Sequence, residues 1–118
     1  MSCHLYGIVN CGSVKKARAF LESQKVDYVF HDFKKETPQR QWLEQCLQQV
    51  DVDTLVNKRG TTWRKLSEAE QAQVATLDGA IALMLAYPNV IKRPVLWLGE
   101  KVVVGFDETV YQSLFQAA

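Results

Sequence analysis

Cys11 is the residue of this 118-residue sequence whose type and position most favour covalent chemistry. It follows a short apolar run, residues 5–9, and precedes residues 13–24, where the apolar side chains recur at helical spacing. Unpaired N–H groups and the positive end of the helix dipole favour an anion at a helix start. Such a position lowers a cysteine pKa from about 8.5 to roughly 3.5–7.5. The sequence therefore predicts a nucleophilic thiolate at Cys11.

The two other cysteines predict no partner for this thiol. Cys46 falls on the apolar stripe of a helix and is expected in the core. An extended chain from Cys3 to Val9 spans roughly 20 Å, whereas a disulfide needs Cα atoms within about 7 Å. Val14 stands where a Cys-x-x-Cys motif has its second thiol. Any mixed disulfide on Cys11 would therefore be resolved by a thiol from outside the chain.

The elements around Cys11 follow from the pattern of apolar residues. The predicted helix places its apolar positions on one side: Val14, Ala17, Phe20 and Leu21. Residues 28–33 are predicted to form a second strand, parallel to the first. Residues 38–87 are mostly helical in pattern. Residues 94–98 and 101–104 predict a hairpin with a type II′ turn, because glycine is its first central residue. The order β-α-β, helices, β-β-α predicts an α/β protein, and the thioredoxin-like fold is one of the few small architectures that fit.

Three polar residues are expected to begin helices. Ser67, with Glu70 three residues later, has the pattern of a capping box. Asp78 is expected to cap a buried, apolar helix over residues 80–86, and Asp107 to cap the last helix. The side chains expected to face inward from that last helix are Val110, Tyr111, Leu114 and Phe115.

Composition limits the classes of protein to consider. The length predicts a single domain, 1–118, with a helical insertion at about 38–87. The longest apolar run, residues 80–87, is far shorter than the roughly 20 residues of a membrane-spanning helix. The N-terminus has no signal-peptide pattern, and three cysteines form no disulfide framework, so we expect a cytoplasmic protein.

With a net charge of +1 we expect no nucleic-acid partner. His4 and His31 lack the spacing of metal ligands, so no metal is expected.

Three stretches of this sequence resemble one known family. They are GIVNC at residues 7–11 with KKA at 15–17, RGTTWRKL at 59–66, and IKRPV at 91–95. Together they resemble the YffB branch of the ArsC/Spx family over residues 5–115, nearly the whole chain. The resemblance implies a thioredoxin-like fold with a helical insertion. It also implies an active cysteine at Cys11 and a cis proline, Pro94, facing it.

The resemblance suggests a glutathione-dependent thiol/disulfide reductase. Cys11 would attack a disulfide or another oxidised substrate, glutathione would be the co-substrate, and Arg93 would stabilise the thiolate. No tightly bound cofactor and no membrane partner are expected, and we expect a monomer. The residues expected to bind glutathione or substrate are Asn10, Gly12, Lys15, Asn57, Arg59, Arg64, Pro94 and Val95.

Two alternatives come from other members of the family. Arsenate reductases place three arginines around the cysteine; here Arg93 matches one, while the other two positions fall at Asn57 and near Gly105. Each missing charge-assisted contact is worth roughly 1.5–3 kcal/mol, which disfavours arsenate as the substrate.

Spx proteins regulate transcription by binding RNA polymerase and usually carry a Cys-x-x-Cys pair. Val14 replaces the second thiol of that pair, which disfavours this alternative.

Overall fold

The computed structural model describes residues 2–116, which form two compact units. The sheet unit comprises residues 2–34 and 93–116, and the helical unit comprises residues 35–92. The regular elements, in chain order, are β1 (Cys3–Gly7), α1 (Gly12–Ser23), β2 (Val29–Asp32), α2 (Arg40–Cys46), α3 (Val52–Leu55), α4 (Thr61–Lys65), α5 (Glu68–Ala72), α6 (Leu77–Ala86), β3 (Val95–Leu98), β4 (Lys101–Val104) and α7 (Glu108–Phe115). Short 3-10 turns cover Gln73–Ala75 and Pro88–Val90.

The sheet unit has four strands in the order β2-β1-β3-β4. Strands β1 and β2 are parallel, and the other two pairs are antiparallel. Parallel strands need a crossover, which α1 supplies, and antiparallel strands can be joined by a short turn. This mixed sheet with its β-α-β and β-β-α halves confirms the thioredoxin-like fold predicted from the sequence.

The core of the sheet unit lies between one face of the sheet and the helices α1 and α7. Alternate residues of a strand point to the same face, so Cys3 and Leu5 point the same way and are buried there. Helix α1 presents Val14, Ala17, Phe20 and Leu21 inward, the four residues that its periodicity predicted. Tyr111 of α7 is fully buried against this core.

The hairpin and its entry match the expectations from the sequence. Gly99 lies between β3 and β4 with φ 60°, while Glu100 does not have a positive φ, as a type II′ turn requires. The Arg93–Pro94 peptide bond is cis, which confirms that expectation. Gly105 follows β4 with φ 82°, and its N–H donates to the carbonyl of Pro94 at 2.8 Å. This bond ties the end of the hairpin to its beginning.

The helical unit consists of short helices, several of which have starts capped by side chains. Ser67 accepts from the N–H of Glu70, whose carboxylate accepts from the N–H of Ser67, so the predicted capping box is confirmed. The expectation for Asp78 is wrong. Thr76 is the N-cap residue instead: its backbone is extended, and its hydroxyl accepts from the N–H of Gly79 at 3.0 Å. Helix α6 therefore begins at Leu77, before the predicted cap. Asp78 instead lies in the first turn.

Helix α7 begins as predicted, but one of its residues faces outward. Asp107 caps it by accepting from the N–H of Val110 at 3.1 Å. The expectation that Val110 faces inward is wrong, because its side chain is 43% exposed. One residue is about 100° of helical turn, so Val110 lies well round from its buried neighbour Tyr111. None of the helices within residues 2–116 is long and apolar enough to cross a membrane.

Helix α1 ends at a residue held in a left-handed conformation. The N–H of Val26 donates to the carbonyl of Leu21 at 3.0 Å, and that of Lys25 to Glu22 at 3.1 Å. These are the two bonds of a Schellman motif, whose left-handed position is usually glycine. Here it is Lys25, with φ 58°.

Replacing Lys25 by glycine is expected to stabilise the protein. In this conformation a non-glycine residue destabilises the folded state by about 1–2 kcal/mol. Glycine avoids this cost but loses more chain entropy on folding, which destabilises the folded state by about 0.5–1 kcal/mol. We expect Lys25→Gly to raise the free energy of unfolding by about 0.5–1 kcal/mol, measured by urea denaturation. The matched control is Lys16→Gly, inside α1 and also exposed, which should lower it by a similar amount. A loss of stability in Lys25→Gly would contradict this account.

Candidate functional site

Cys11 is the N-cap residue of α1. Its backbone is extended, with φ −117° and ψ 126°, and its carbonyl accepts the N–H of Lys15 at 2.9 Å, the first hydrogen bond of the helix. N-cap side chains usually accept from the N–H groups of the first turn. Here the side chain in that position is a half-buried thiol, which lies beside those N–H groups without forming an N-cap hydrogen bond.

Opposing influences act on the pKa of the Cys11 thiol, and those that lower it prevail. Partial burial raises the pKa, because it disfavours the charged thiolate. Three nearby groups lower the pKa: the backbone N–H of Val14, the guanidinium of Arg93 and the backbone N–H of Ser13. The positive charge of Arg93 lowers it further. The result is a pKa below the ordinary value, so a larger share of the thiol is ionised at neutral pH.

The sequence predicted a thiolate at Cys11 and a guanidinium beside it, but it did not identify the two backbone N–H groups that also lower the pKa. A helix start implies unpaired N–H groups, yet sequence alone does not say which of them influence the thiol. In the structure the N–H groups that lower its pKa are those of Val14 and Ser13. The sequence marked Val14 as an apolar helix position and as the missing second thiol, and neither observation pointed to its N–H.

Other predicted site residues of the sheet unit fall into an exposed and a buried group. Asn10, Gly12 and Lys15 are exposed next to Cys11 in the chain. A methyl group added to Gly12 would meet no atom within 4 Å, so the space beside it is open. Pro94 is buried and Val95 is completely buried in β3. Any contact of Val95 with a ligand would therefore be made by its backbone, and its predicted binding role stays a prediction.

The remaining predicted binding residues belong to the helical unit. The carboxamide oxygen of Asn57 accepts the N–H of Arg59 at 3.1 Å, which fixes the turn before α4. Arg59 is exposed and Arg64 is exposed too. Lys58, between Asn57 and Arg59 in the chain, pairs with Asp53 at 2.7 Å and lies over the ring of Trp63. The binding roles of Asn57, Arg59 and Arg64 stay predictions.

Cys3 and Cys46 have the surroundings of structural cysteines. Burial raises the pKa of the Cys3 thiol, which disfavours its reactive form. Cys46 is completely buried in α2, as its place on the apolar stripe predicted. Cys11 is thus the thiol of this chain whose environment favours the thiolate.

The two histidines, distant in sequence, meet on the sheet. Nδ1 of His4 and Nε2 of His31 are 2.8 Å apart, and the His31 ring stacks on Tyr6 with centroids 4.4 Å apart. Neighbouring parallel strands β1 and β2 bring them together, because Tyr6 pairs with His31 in the register. Within the described part of the chain, no group of three or more histidine, cysteine or acidic side chains could hold a metal ion.

Comparison with known proteins identifies the family of this fold and site. The model of the ArsC family matches residues 6–114 of the chain. This chain belongs to the ArsC family. The match includes the end of β1, Cys11 and the Arg93–Pro94 entry to the hairpin.

Several relatives are similar over nearly their whole length. The solved structure of a protein named YffB is 44% identical, has a TM-score of 0.88, and matches over 95% of this chain and 97% of that one. An uncharacterized protein of Haemophilus influenzae is 36% identical over 111 residues, 94% of this chain and 96% of the relative. The global transcriptional regulator Spx 1 of Lactococcus lactis is 28% identical over 106 residues, 88% of this chain and 81% of the regulator. The family therefore includes relatives with a regulatory role.

Removing the guanidinium of Arg93 should raise the pKa of the Cys11 thiol. Arg93→Gln removes a positive charge and a donor that favour the thiolate. The rate of alkylation of Cys11 by iodoacetamide, followed against pH by mass spectrometry, should then rise at a higher pH than in the wild type. At a pH below the pKa, alkylation slows about tenfold when the pKa rises by about one. Arg93→Lys keeps the charge and should move the profile less; an unchanged profile in Arg93→Gln would rule out this role for Arg93.

Proposed function

We propose that this protein is a glutathione-dependent thiol/disulfide reductase that works in the cytoplasm through Cys11 alone. One observation carries the proposal. The Cys11 thiol has a lowered pKa at the start of α1, while the position that would hold a resolving thiol is occupied by the completely buried Val14. A nucleophilic cysteine without an internal partner needs an external thiol to complete a cycle, and glutathione is the cytoplasmic thiol that fits.

The proposed cycle conserves atoms and electrons in three exchanges. The Cys11 thiolate attacks one sulfur of a substrate disulfide, the S–S bond breaks, and the other sulfur leaves as a thiolate that takes a proton. A glutathione thiolate then attacks the Cys11 sulfur, which releases the second substrate thiol and leaves glutathione on Cys11. A second glutathione thiolate attacks the glutathionyl sulfur and releases Cys11. In sum, one disulfide is reduced and two glutathione molecules become one oxidised glutathione.

A lowered pKa of Cys11 helps at both ends of this cycle. In the first exchange the attacking species is the thiolate, whose share at neutral pH increases as the pKa falls. In the last exchange Cys11 is the leaving group, and a thiol of lower pKa leaves faster. The donors that stabilise the thiolate, above all the N–H of Val14 and the guanidinium of Arg93, therefore favour attack and release alike.

The surroundings of Cys11 are compatible with a bulky adduct on the sulfur. The neighbouring Val9 is 44% exposed, and the space beside Gly12 is open. Glutathione carries two carboxylates, and the exposed ammonium of Lys15 is a candidate partner for one of them. The binding roles that the sequence predicts for Arg59 and Arg64, in the helical unit, stay predictions.

Arsenate reduction is less well supported by the residues. The family resemblance assigns one of the three oxyanion-binding arginines of arsenate reductases to a position near Gly105. Gly105 is buried with φ 82°, in the left-handed region where a side chain is strained. An arginine at this position would have to change both the backbone and the packing. Reduction of arsenate and binding of RNA polymerase stay alternatives from the sequence.

The proposed chemistry predicts a single glutathione adduct. After incubation of the reduced protein with oxidised glutathione at pH 7, intact mass spectrometry should show one added glutathionyl group, and peptide mapping should place it on Cys11. Cys11→Ser should give no adduct, because Cys3 and Cys46 are buried. Reduced glutathione should then remove the adduct. A wild-type protein that forms no adduct dependent on Cys11 would end the proposal.

Restoring the missing thiol should change the product. Residues three apart on a helix are neighbours, with Cβ atoms about 5–6 Å apart, and a disulfide needs only a small approach from there. In Val14→Cys, the introduced thiol should displace glutathione from Cys11, so that the same treatment ends in an internal disulfide with no adduct. An adduct that persists in Val14→Cys would argue against the account of Val14 as the missing resolving position.

A further inference from the structure

Gly7, at the end of β1, and Val14, in the first turn of α1, approach each other more closely than any larger residue at position 7 would allow. A Cβ atom on Gly7 would lie 2.6 Å from Cγ2 of Val14, a separation that real Cβ atoms essentially never show. Both residues are buried, Val14 completely. Gly7 does not have a positive φ, so its backbone conformation does not require glycine. What requires glycine here is the close approach of Val14.

The residue packed on Gly7 also influences the sulfur. The side chain of Val14 packs on the end of β1, while its backbone N–H, in the first turn after the N-cap residue Cys11, lowers the pKa of the thiol. Valine is branched at Cβ and stiff about χ1, so fixing the side chain also fixes the backbone of that residue. The strand end is itself held, because the carbonyl of Gly7 accepts the N–H of Phe33 at 2.8 Å.

We propose that Gly7 and Val14 are positioning residues for the reaction at Cys11: their contact fixes the first turn of α1 on the end of β1 and so holds its N–H groups near the sulfur. Neither residue acts on the sulfur through its side chain. The inference rests on Cys11 being the reacting group in the proposed function. It adds that the reactivity of Cys11 depends on the packing contact between Val14 and Gly7, which lie three and four residues away along the chain.

The contact can be spoiled in two opposite ways and restored by combining them. Gly7→Ala introduces an overlap with Cγ2 of Val14, which must move. Val14→Ala removes both methyl groups and leaves the turn without its support. In the double variant Gly7→Ala/Val14→Ala the two Cβ atoms would lie 3.7 Å apart, an ordinary van der Waals contact, without any movement of the backbone. The two single variants should therefore impair the site, and the double variant should recover it.

The experiment measures the pKa of the Cys11 thiol from the pH dependence of its alkylation by iodoacetamide. We expect a raised pKa in each single variant, and at a pH below the pKa a rise of about one slows alkylation about tenfold. We expect a return toward the wild-type pKa in the double variant. Urea denaturation of the same proteins gives the free energy of unfolding, so that a loss of stability is measured separately from the change at the sulfur.

Each outcome decides the proposal. Wild-type pKa values in both single variants, together with a lower stability, would show that the contact is only structural and would overturn it. If Gly7→Ala does not fold, the comparison of Val14→Ala with the double variant still decides. The pKa that is raised in Val14→Ala should be lower in the double variant, because the methyl group added at position 7 restores the contact. Alkylation needs no glutathione, so a failure of the glutathione adduct and a failure of this test are distinguishable.

Discussion

The chemistry proposed for this chain depends on how an ionised sulfur is stabilised at the start of α1. Partial burial of Cys11 opposes the thiolate, and backbone donors and one guanidinium outweigh it. No acidic residue lies in the first turn of this helix, all of which is described. An aspartate or glutamate there would interact with the positive end of the helix dipole and would repel a nearby thiolate. The first turn of α1 therefore has no carboxylate that would compete with the thiolate for the positive end of the dipole.

Much of the sheet unit was predictable because its signals are local. Helix α1 buries the four residues that its period indicated, since one face of twelve residues is enough to define a stripe. The turn at Gly99 is a conformational requirement that glycine meets and that can be read from two residues. The place of Cys11 at the start of a helix followed from the apolar pattern on either side of it. These are cases in which local sequence and final structure obey the same constraint.

The parts that the sequence did not predict depend on short elements or on contacts between distant residues. Helices α3 and α4 have four and five residues, too few for a helical period to show. Thr76 rather than Asp78 caps α6, and both residue types favour that position. The pair of His4 and His31 depends on the register of two strands, and the two residues are 27 positions apart in the chain. Register follows from tertiary packing, so spacing along the sequence could not reveal the pair.

Gly7 illustrates a signal that was present in the sequence but was not used. A glycine inside a strand weakens it and often marks a close approach of another part of the chain. Here the approaching residue is Val14, the same residue that occupies the place of a second thiol. A thiol at this position could resolve a mixed disulfide, and a valine could not. The valine packs on Gly7 at the end of β1, and its backbone N–H lowers the pKa of the Cys11 thiol. One residue therefore leaves Cys11 without a resolving thiol at this position and also favours its thiolate. In the proposed cycle, this combination gives a reactive cysteine whose release depends on an external thiol.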